Sequence, residues 1–165
     1  MHNESDFTSP PDRRVGGLAL FRNGTGAVLL VEKKYRTGLA RWGLVGGSAK
    51  PGEPAAIACQ REILEETGLK VVPERLLAVH YMPAAPPVRE GFNFVFDAGI
   101  LPDDTAITLP EDELASYGWA APDELPGLVA PYTGWRITSA LNALAGGPVR
   151  ELVGHPPDDW HTLAA

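Results

Sequence analysis

The chain has a single cysteine, Cys59, which excludes an internal disulfide and any zinc site built on thiolates. Positive charge is scarce: 14 Lys and Arg stand against 21 Asp and Glu, a net charge of −7. Acidic chains are poor binders of nucleic acid or anionic membranes, which are gripped through basic surfaces. No apolar run approaches the roughly 18 residues needed to cross a bilayer. The start, Met1-His2-Asn3-Glu4-Ser5-Asp6, has neither the basic stretch nor the apolar core of a secretory leader. These absences point to a cytoplasmic protein with no nucleic acid and no membrane partner; a monomer or homodimer is expected. An anionic partner would need its charge offset locally.

Glycine and proline, by contrast, are plentiful, at 18 and 16 of 165 residues. They follow no period, so they mark turns between short elements and not a fibrous repeat. The length suits one domain, expected over residues 13–154, with polar tails at 1–12 and 155–165. Val15–Phe21 and Ala27–Lys33 read as strands, and Asn23-Gly24-Thr25-Gly26 between them reads as a hairpin turn. Trp42–Val45 is a short apolar run, and Gly46–Gly52 reads as loop. Pro54–Thr67 reads as a helix stopped by Gly68. Leu76–Met82, Phe92–Leu101, Leu114–Ala120 and Val149–Val153 are further strand candidates. Thr133–Ala145 reads as a helix capped by Thr133, with an Ile137, Leu141, Leu144 stripe.

The chemistry is concentrated in residues 47–69, GSAKPGEPAAIACQREILEETGL. Glu62, Glu65 and Glu66 stand at i, i+3 and i+4 and share one helix face, where like charges cost about 0.2–0.5 kcal/mol per pair. A solvated face tolerates that cost easily. The helical wheel, at about 100° per residue, instead places the acids on the arc of Ala55, Ala58 and Cys59, while Ile57 and Leu64 form a second apolar stripe opposite. A helix apolar on two sides is expected to be sandwiched, with its acids lining a cleft. Carboxylates crowded in a cleft repel one another and lose hydration. A divalent cation relieves both, and all-oxygen donors suit Mg²⁺ or Mn²⁺.

Gly47, five residues, Glu53, seven residues, Arg61-Glu62-Ile63, one residue, Glu65-Glu66, one residue, Gly68-Leu69 is similar at every fixed position to the Nudix box, GX5EX7REUXEEXGU with U a bulky aliphatic residue. The flanking strands and Trp119…Pro122-Asp123-Glu124-Leu125 also resemble the family, over most of residues 14–145. The resemblance implies an α/β/α sandwich with a mixed central β-sheet. It implies divalent-metal-dependent hydrolysis of a nucleoside diphosphate linked to another moiety. Carried over residue by residue, it makes Glu65, Glu66 and the Gly47 carbonyl metal ligands. Glu62 becomes a ligand or the base toward water, and Glu53 with Arg61 an ion pair orienting the helix. Val45 stands where Pro is common, and Lys50, where an acid is frequent, is a candidate phosphate contact.

The family often adds a later acid; Glu111, Asp112 and Glu113 are the candidates, Glu113 foremost. Among the basic residues before the Gly pair, Lys33, Lys34, Arg36 and Arg41, the last two are candidate substrate contacts and the others read as solvated. Tyr35, Tyr81 and Phe92 read as core in preference to base-stacking platforms, and Trp42 reads as core. His80 reads as a satisfied structural histidine and Cys59 as a buried, unreactive thiol. Among the family's substrates, nucleoside triphosphates are slightly favoured, with ADP-ribose or a nucleotide sugar next. The alternative is a non-catalytic nucleotide-sensing domain on the same fold, which a whole box disfavours.

Overall fold

Apolar residues on both faces of the central strands dictate the architecture, because such strands need cover on each side. The computed structural model describes residues 3–162; the outermost parts of the two expected tails, residues 1–2 and 163–165, lie outside the described residues. A four-residue helix α1 (Ser5–Thr8) precedes the strands β1 (Arg14–Arg22), β2 (Val28–Lys33), β3 (Trp42–Gly43), β4 (Val45–Ser48), β5 (Leu76–Met82), β6 (Gly91–Ile100), β7 (Leu114–Ala120) and β8 (Arg150–Val153). The helices α2 (Ala55–Thr67), α3 (Leu125–Leu128) and α4 (Pro131–Leu144) complete the set with short 3₁₀ turns.

The strands form one mixed sheet in the order β3-β2-β1-β6-β5-β8, with β4 paired to β1 and β7 to β2. β1 runs parallel to β6 and antiparallel to β4. Alternation along each strand sends neighbours to opposite faces. Leu18, Leu20, Val28, Leu30 and Val95 pack toward α4, while Ala19, Phe21, Leu29, Val31 and Phe96 pack toward α2. The result is the expected α/β/α sandwich with a mixed central sheet.

Four local expectations are corrected. The turn at 23–26 forms, with the Asn23 N–H donated to the Ala27 carbonyl at 2.9 Å, but β1 and β2 share only the Arg22–Val28 pair. The strands splay, and β2 takes β7 as its main partner. Gly46–Ser48, expected as loop, is strand, paired with Gly16–Leu18. Glycine here answers close backbone approach, since a Cβ on Gly46 would lie 2.3 Å from the Gly17 carbonyl oxygen. α4 starts at Pro131, whose missing N–H costs nothing in a first turn; Thr133 is buried inside the helix and is not its cap. The C-terminal segment beyond 155 delivers Trp160 into the core at 5% exposure. It fits because Gly134 has no side chain; a Cβ there would sit 2.1 Å from the indole.

The apolar stripe of Ile57 and Leu64 is also not a second packing face. They are 53% and 47% exposed, so α2 lies on the sheet by one face and is not sandwiched. That face is built from small residues, and α2 sits so close to β1 that a Cβ on Gly17 would lie 2.2 Å from the Ala55 carbonyl oxygen and 2.7 Å from the Cys59 nitrogen. Both are backbone atoms that cannot swing aside. Gly17→Ala is therefore expected to lower stability by about 1–3 kcal/mol, the usual cost of overpacking. The midpoint of urea unfolding checks this; an unchanged midpoint would contradict the close approach.

Candidate active site

Pro54 caps α2 in an extended conformation, and Gly68 ends it at φ +74°, a left-handed conformation that glycine adopts without a Cβ penalty. Between them Arg61 reaches back over the loop. Its Nε–H is donated to Glu53 at 3.0 Å, one Nη to both Glu62 at 2.7 Å and Glu65 at 2.9 Å, and the other Nη to the Ser48 carbonyl at 3.1 Å. One planar guanidinium thus ties three carboxylates and β4 together. Only an arginine fork has the donors to do this. The expected Glu53–Arg61 ion pair is present, and Glu62 and Glu65 join it.

Glu66 takes a different position. It is 4% exposed, and its carboxylate accepts the Gly46 N–H at 2.8 Å. Burial pushes the carboxyl up to about 7; the Gly46 N–H and Lys33 oppose the rise, and the Glu62 and Glu113 charges add to it. No cation pairs with it within 4 Å among the described residues. Glu62 lies against the bare Cα of Gly47, where a Cβ would be 2.5 Å from its Oε1. Among the described residues, no three His, Cys, Asp or Glu side chains are grouped as a ready cation cage. Arg61 bonds Glu62 and Glu65 but not Glu66.

Glu113 stands in an exposed loop, yet its charge is felt at Glu66. The loop is fixed beside the end of β2, where the Lys34 N–H is donated to the Glu113 carbonyl at 3.0 Å and the Lys34 ammonium to the Glu111 carbonyl.

Beyond Gly46–Ser48 opens a cavity of about 520 Å³ on the α4 side of the sheet. Its walls carry five cationic side chains, Arg14, Lys33, Arg36, Arg89 and Arg136, and no Asp or Glu. In a chain of net charge −7 this concentrates positive charge in one place, although Arg89 is paired with Asp12. Tyr35, Trp42 and Tyr132 give the cavity aromatic surface, and Met82–Ala85 form another wall.

Of the three expected substrate contacts, Arg36 lines this cavity. Arg41 does not; it pairs with Glu32 on β2 at 3.3 Å and is half exposed. Lys50 is exposed, does not line the cavity, and has its backbone N–H on Glu53. Trp42 is half-buried, touching the core and the cavity at once. Tyr35, expected as core, is an exposed cavity residue. Cys59 is fully buried with its thiol pushed up to about 12 by burial, as an inert structural cysteine should be.

Lys33, expected as a solvated residue, is instead half-buried and lines the cavity; Arg14, Arg89 and Arg136 were not anticipated. Lys33 and Arg14 sit on strands whose alternation does not reveal what their ends face. Arg136 did leave a trace: it is the one charged residue in Pro131–Leu144, beside the apolar stripe of that helix. It is held by His80, which accepts the Arg136 Nε–H on Nδ1 at 3.1 Å and bonds the Gly154 carbonyl through Nε2 at 2.7 Å.

Comparison with known proteins places these features in context. A family profile described as the NUDIX domain matches residues 10–139. A protein of Bacillus subtilis (strain 168), a putative 8-oxo-dGTP diphosphatase, is 31% identical over 117 residues, covering 70% of this chain and 72% of its own length. A human 8-oxo-dGDP phosphatase is 42% identical over 62 residues, which span 38% of this chain but 19% of that protein. Among solved structures, a MutT NUDIX hydrolase from Burkholderia pseudomallei is 30% identical at a TM-score of 0.63, covering 78% of this chain and 98% of its own.

Burial first, then the Arg136 charge, push His80 down to about 4 from its ordinary 6.5. Between those values the unfolded chain takes up a proton that the folded chain refuses. The His80 contribution is thus fully present above pH 6.5 and is lost as pH falls toward 4, at up to roughly 1.4 kcal/mol per pH unit. Urea unfolding at stepped pH should show this slope in the wild type and a shallower one in His80→Gln; identical slopes would refute the assignment.

Proposed function

The chain belongs to the Nudix family, and from that premise we propose that it is a divalent-metal-dependent pyrophosphohydrolase of nucleoside triphosphates. The observation that carries this reading is the junction of two opposite surfaces across Gly46–Ser48. On one side stand Glu62, Glu65 and Glu66 of α2, and on the other the acid-free cavity with its five cations. A polyphosphate laid across the junction has cations for its oxygens on one side and carboxylates for a metal ion on the other.

The residues fit such an ion. All donors are oxygens, the class that Mg²⁺ and Mn²⁺ take. Glu66 is a buried carboxylate without an ion-pair partner among the described residues, and a cation placed there would offset the burial that raises its pKa. The bare Cα of Gly47 leaves room for the Glu62 carboxylate. Glu65, Glu66, Glu62 and the Gly47 carbonyl are the proposed ligands. A bound cation offsets phosphate charge and makes a water more acidic at neutral pH.

The chain's own groups do the remaining work. Arg61 sets the approach of Glu62 and Glu65 through its shared Nη, and Glu53 locks the guanidinium plane. Lys33 is pushed down by burial and held up by Glu66; it stands between carboxylates and cavity, placed to donate to a phosphoryl oxygen. Arg36 lines the cavity beside Tyr35, its guanidinium carbon 5.8 Å from the ring centre. Water adds across the P–O–P bond, its proton going to a carboxylate, Glu62 or Glu113. The product phosphates leave with one oxygen from water. The cavity's aromatic and polar surface takes the nucleoside. The name of the B. subtilis relative makes 8-oxo-dGTP the first nucleotide to test.

Turnover of a nucleotide panel with Mg²⁺ should be seen for at least one nucleoside triphosphate and vanish with EDTA. Glu66→Gln should lower kcat by at least ~100-fold, beyond the 10–100-fold that follows loss of an outer-shell partner. Arg61→Lys should fall within that 10–100-fold range, because lysine cannot serve four acceptors from one plane. No turnover on any nucleotide, or wild-type kcat in Glu66→Gln, would sink the hydrolase reading.

A further inference from the structure

Of the cavity's cations the steps above give a task of their own to Lys33 and Arg36 alone, and the wall formed by α4 holds another, buried one. Arg136 is 7% exposed. A buried guanidinium ordinarily has a carboxylate partner, and among the described residues Arg136 has none. Its one protein acceptor among those residues is His80 Nδ1. A ring nitrogen that accepts from a guanidinium is unprotonated, so the neutral imidazole carries its hydrogen on Nε2 and donates it to the Gly154 carbonyl. The ring is wedged edge-on against Trp135, centroids 5.5 Å apart. His80 therefore fixes the direction of Arg136 without neutralising it, and the Nη groups remain for the cavity that Arg136 lines.

Arg14 repeats the arrangement from β1. It lines the same cavity, and its Nη donates to a neutral group, Asn93 Oδ1, at 2.9 Å. Arg136 feels its neighbour: burial and then the Arg14 charge push it down to about 10, while burial and then the Arg36 charge push Arg14 down. Two desolvated guanidiniums, each steered by a neutral partner and neither paired with an acid, store a repulsion that only an anion removes. A neutral carbonyl of a base would leave both charges uncompensated, whereas a phosphoryl group meets the fork of each.

We propose that Arg136 and Arg14 form a preset receptor for a phosphoryl group of the substrate other than those at the α2 carboxylates, and that His80 is the positioning residue that aims Arg136. The ligand class is a nucleotide with a phosphoryl group to spare beyond the scissile bond, either the end of a triphosphate or a phosphate on the ribose. Calling that ligand the substrate rests on the hydrolase reading; the receptor itself does not.

The test separates the two. Inorganic phosphate is titrated calorimetrically into the whole chain in EDTA, where no turnover is needed. The wild type should bind saturably, and Arg136→Gln at least tenfold more weakly. His80→Leu should show the same loss, and His80→Gln, which can accept and donate in the same places, should restore binding. Thermal melts identify any variant that does not fold; Arg136→Gln and Arg14→Gln then decide. With folded variants, wild-type affinity in Arg136→Gln, or equal affinity in His80→Leu and His80→Gln, overturns the proposal. Steady-state kinetics then distinguish the sources. A KM rise in Arg136→Gln confined to triphosphates assigns the terminal phosphoryl group, and one confined to ribose-phosphorylated diphosphates assigns the ribose phosphate. A rise of the same size for every nucleotide overturns the receptor. Absence of turnover with phosphate binding intact refutes the hydrolase reading alone.

Discussion

Arg61 is the interaction on which the site depends. Without it Glu53, Glu62 and Glu65 would face one another across the start of α2 and the β4 strand with no common counter-charge. With it, three carboxylates and the Ser48 carbonyl share one plane of donors at 2.7–3.1 Å. Glu62 and Glu65 use the same Nη, so a cation arriving at either must compete with a hydrogen bond, and at the half-exposed Glu65 with water as well. Glu66 stands outside that network, buried and pinned by the Gly46 N–H. The helix thus offers two kinds of acid: two bonded to a cation of the protein, and one with no cation within 4 Å among the described residues.

Close packing makes this arrangement possible. The backbone of α2 rests on Gly17, and the Glu62 carboxylate rests on Gly47. Side chains at those two positions would lift the helix or displace the acid. The same approach keeps β4 paired to β1 up to Ser48, so the acids and the cavity cations meet at a strand and not at a mobile loop. A chain of net charge −7 can therefore line one cavity with five cations and no acid, of which Arg89 alone has an ion-pair partner, Asp12, among the described residues.

Much of this was legible in the sequence, for physical reasons. The spacing of Glu53, Arg61, Glu62, Glu65 and Glu66 is a helical pattern with capping residues at both ends, and local patterns survive folding. The sandwich was implied by the resemblance of residues 47–69 to the Nudix box, and strands apolar on both faces are the physical reason it forms. The position of α2 was misread from Ile57 and Leu64, since a helical wheel shows that two residues share a side but not that anything covers it. Gly46 and Gly47 looked like loop because glycine propensity is silent about close backbone contact. The cavity was the least visible part. Arg14, Lys33 and Arg136 come from three separate elements, and only the sheet order β2-β1-β6 with α4 packed over it brings them together. Arg41, a close neighbour of Arg36 in sequence, is drawn away by Glu32.

The central claim is that the α2 carboxylates form one cation site organised by Arg61. Electron paramagnetic resonance of free Mn²⁺ titrated with protein tests it without any nucleotide. The wild type should deplete the free-ion signal to saturation, Arg61→Lys should do so more weakly, and Glu66→Gln should leave most of the signal in solution. A free Mn²⁺ signal that falls equally for all three proteins would contradict the account.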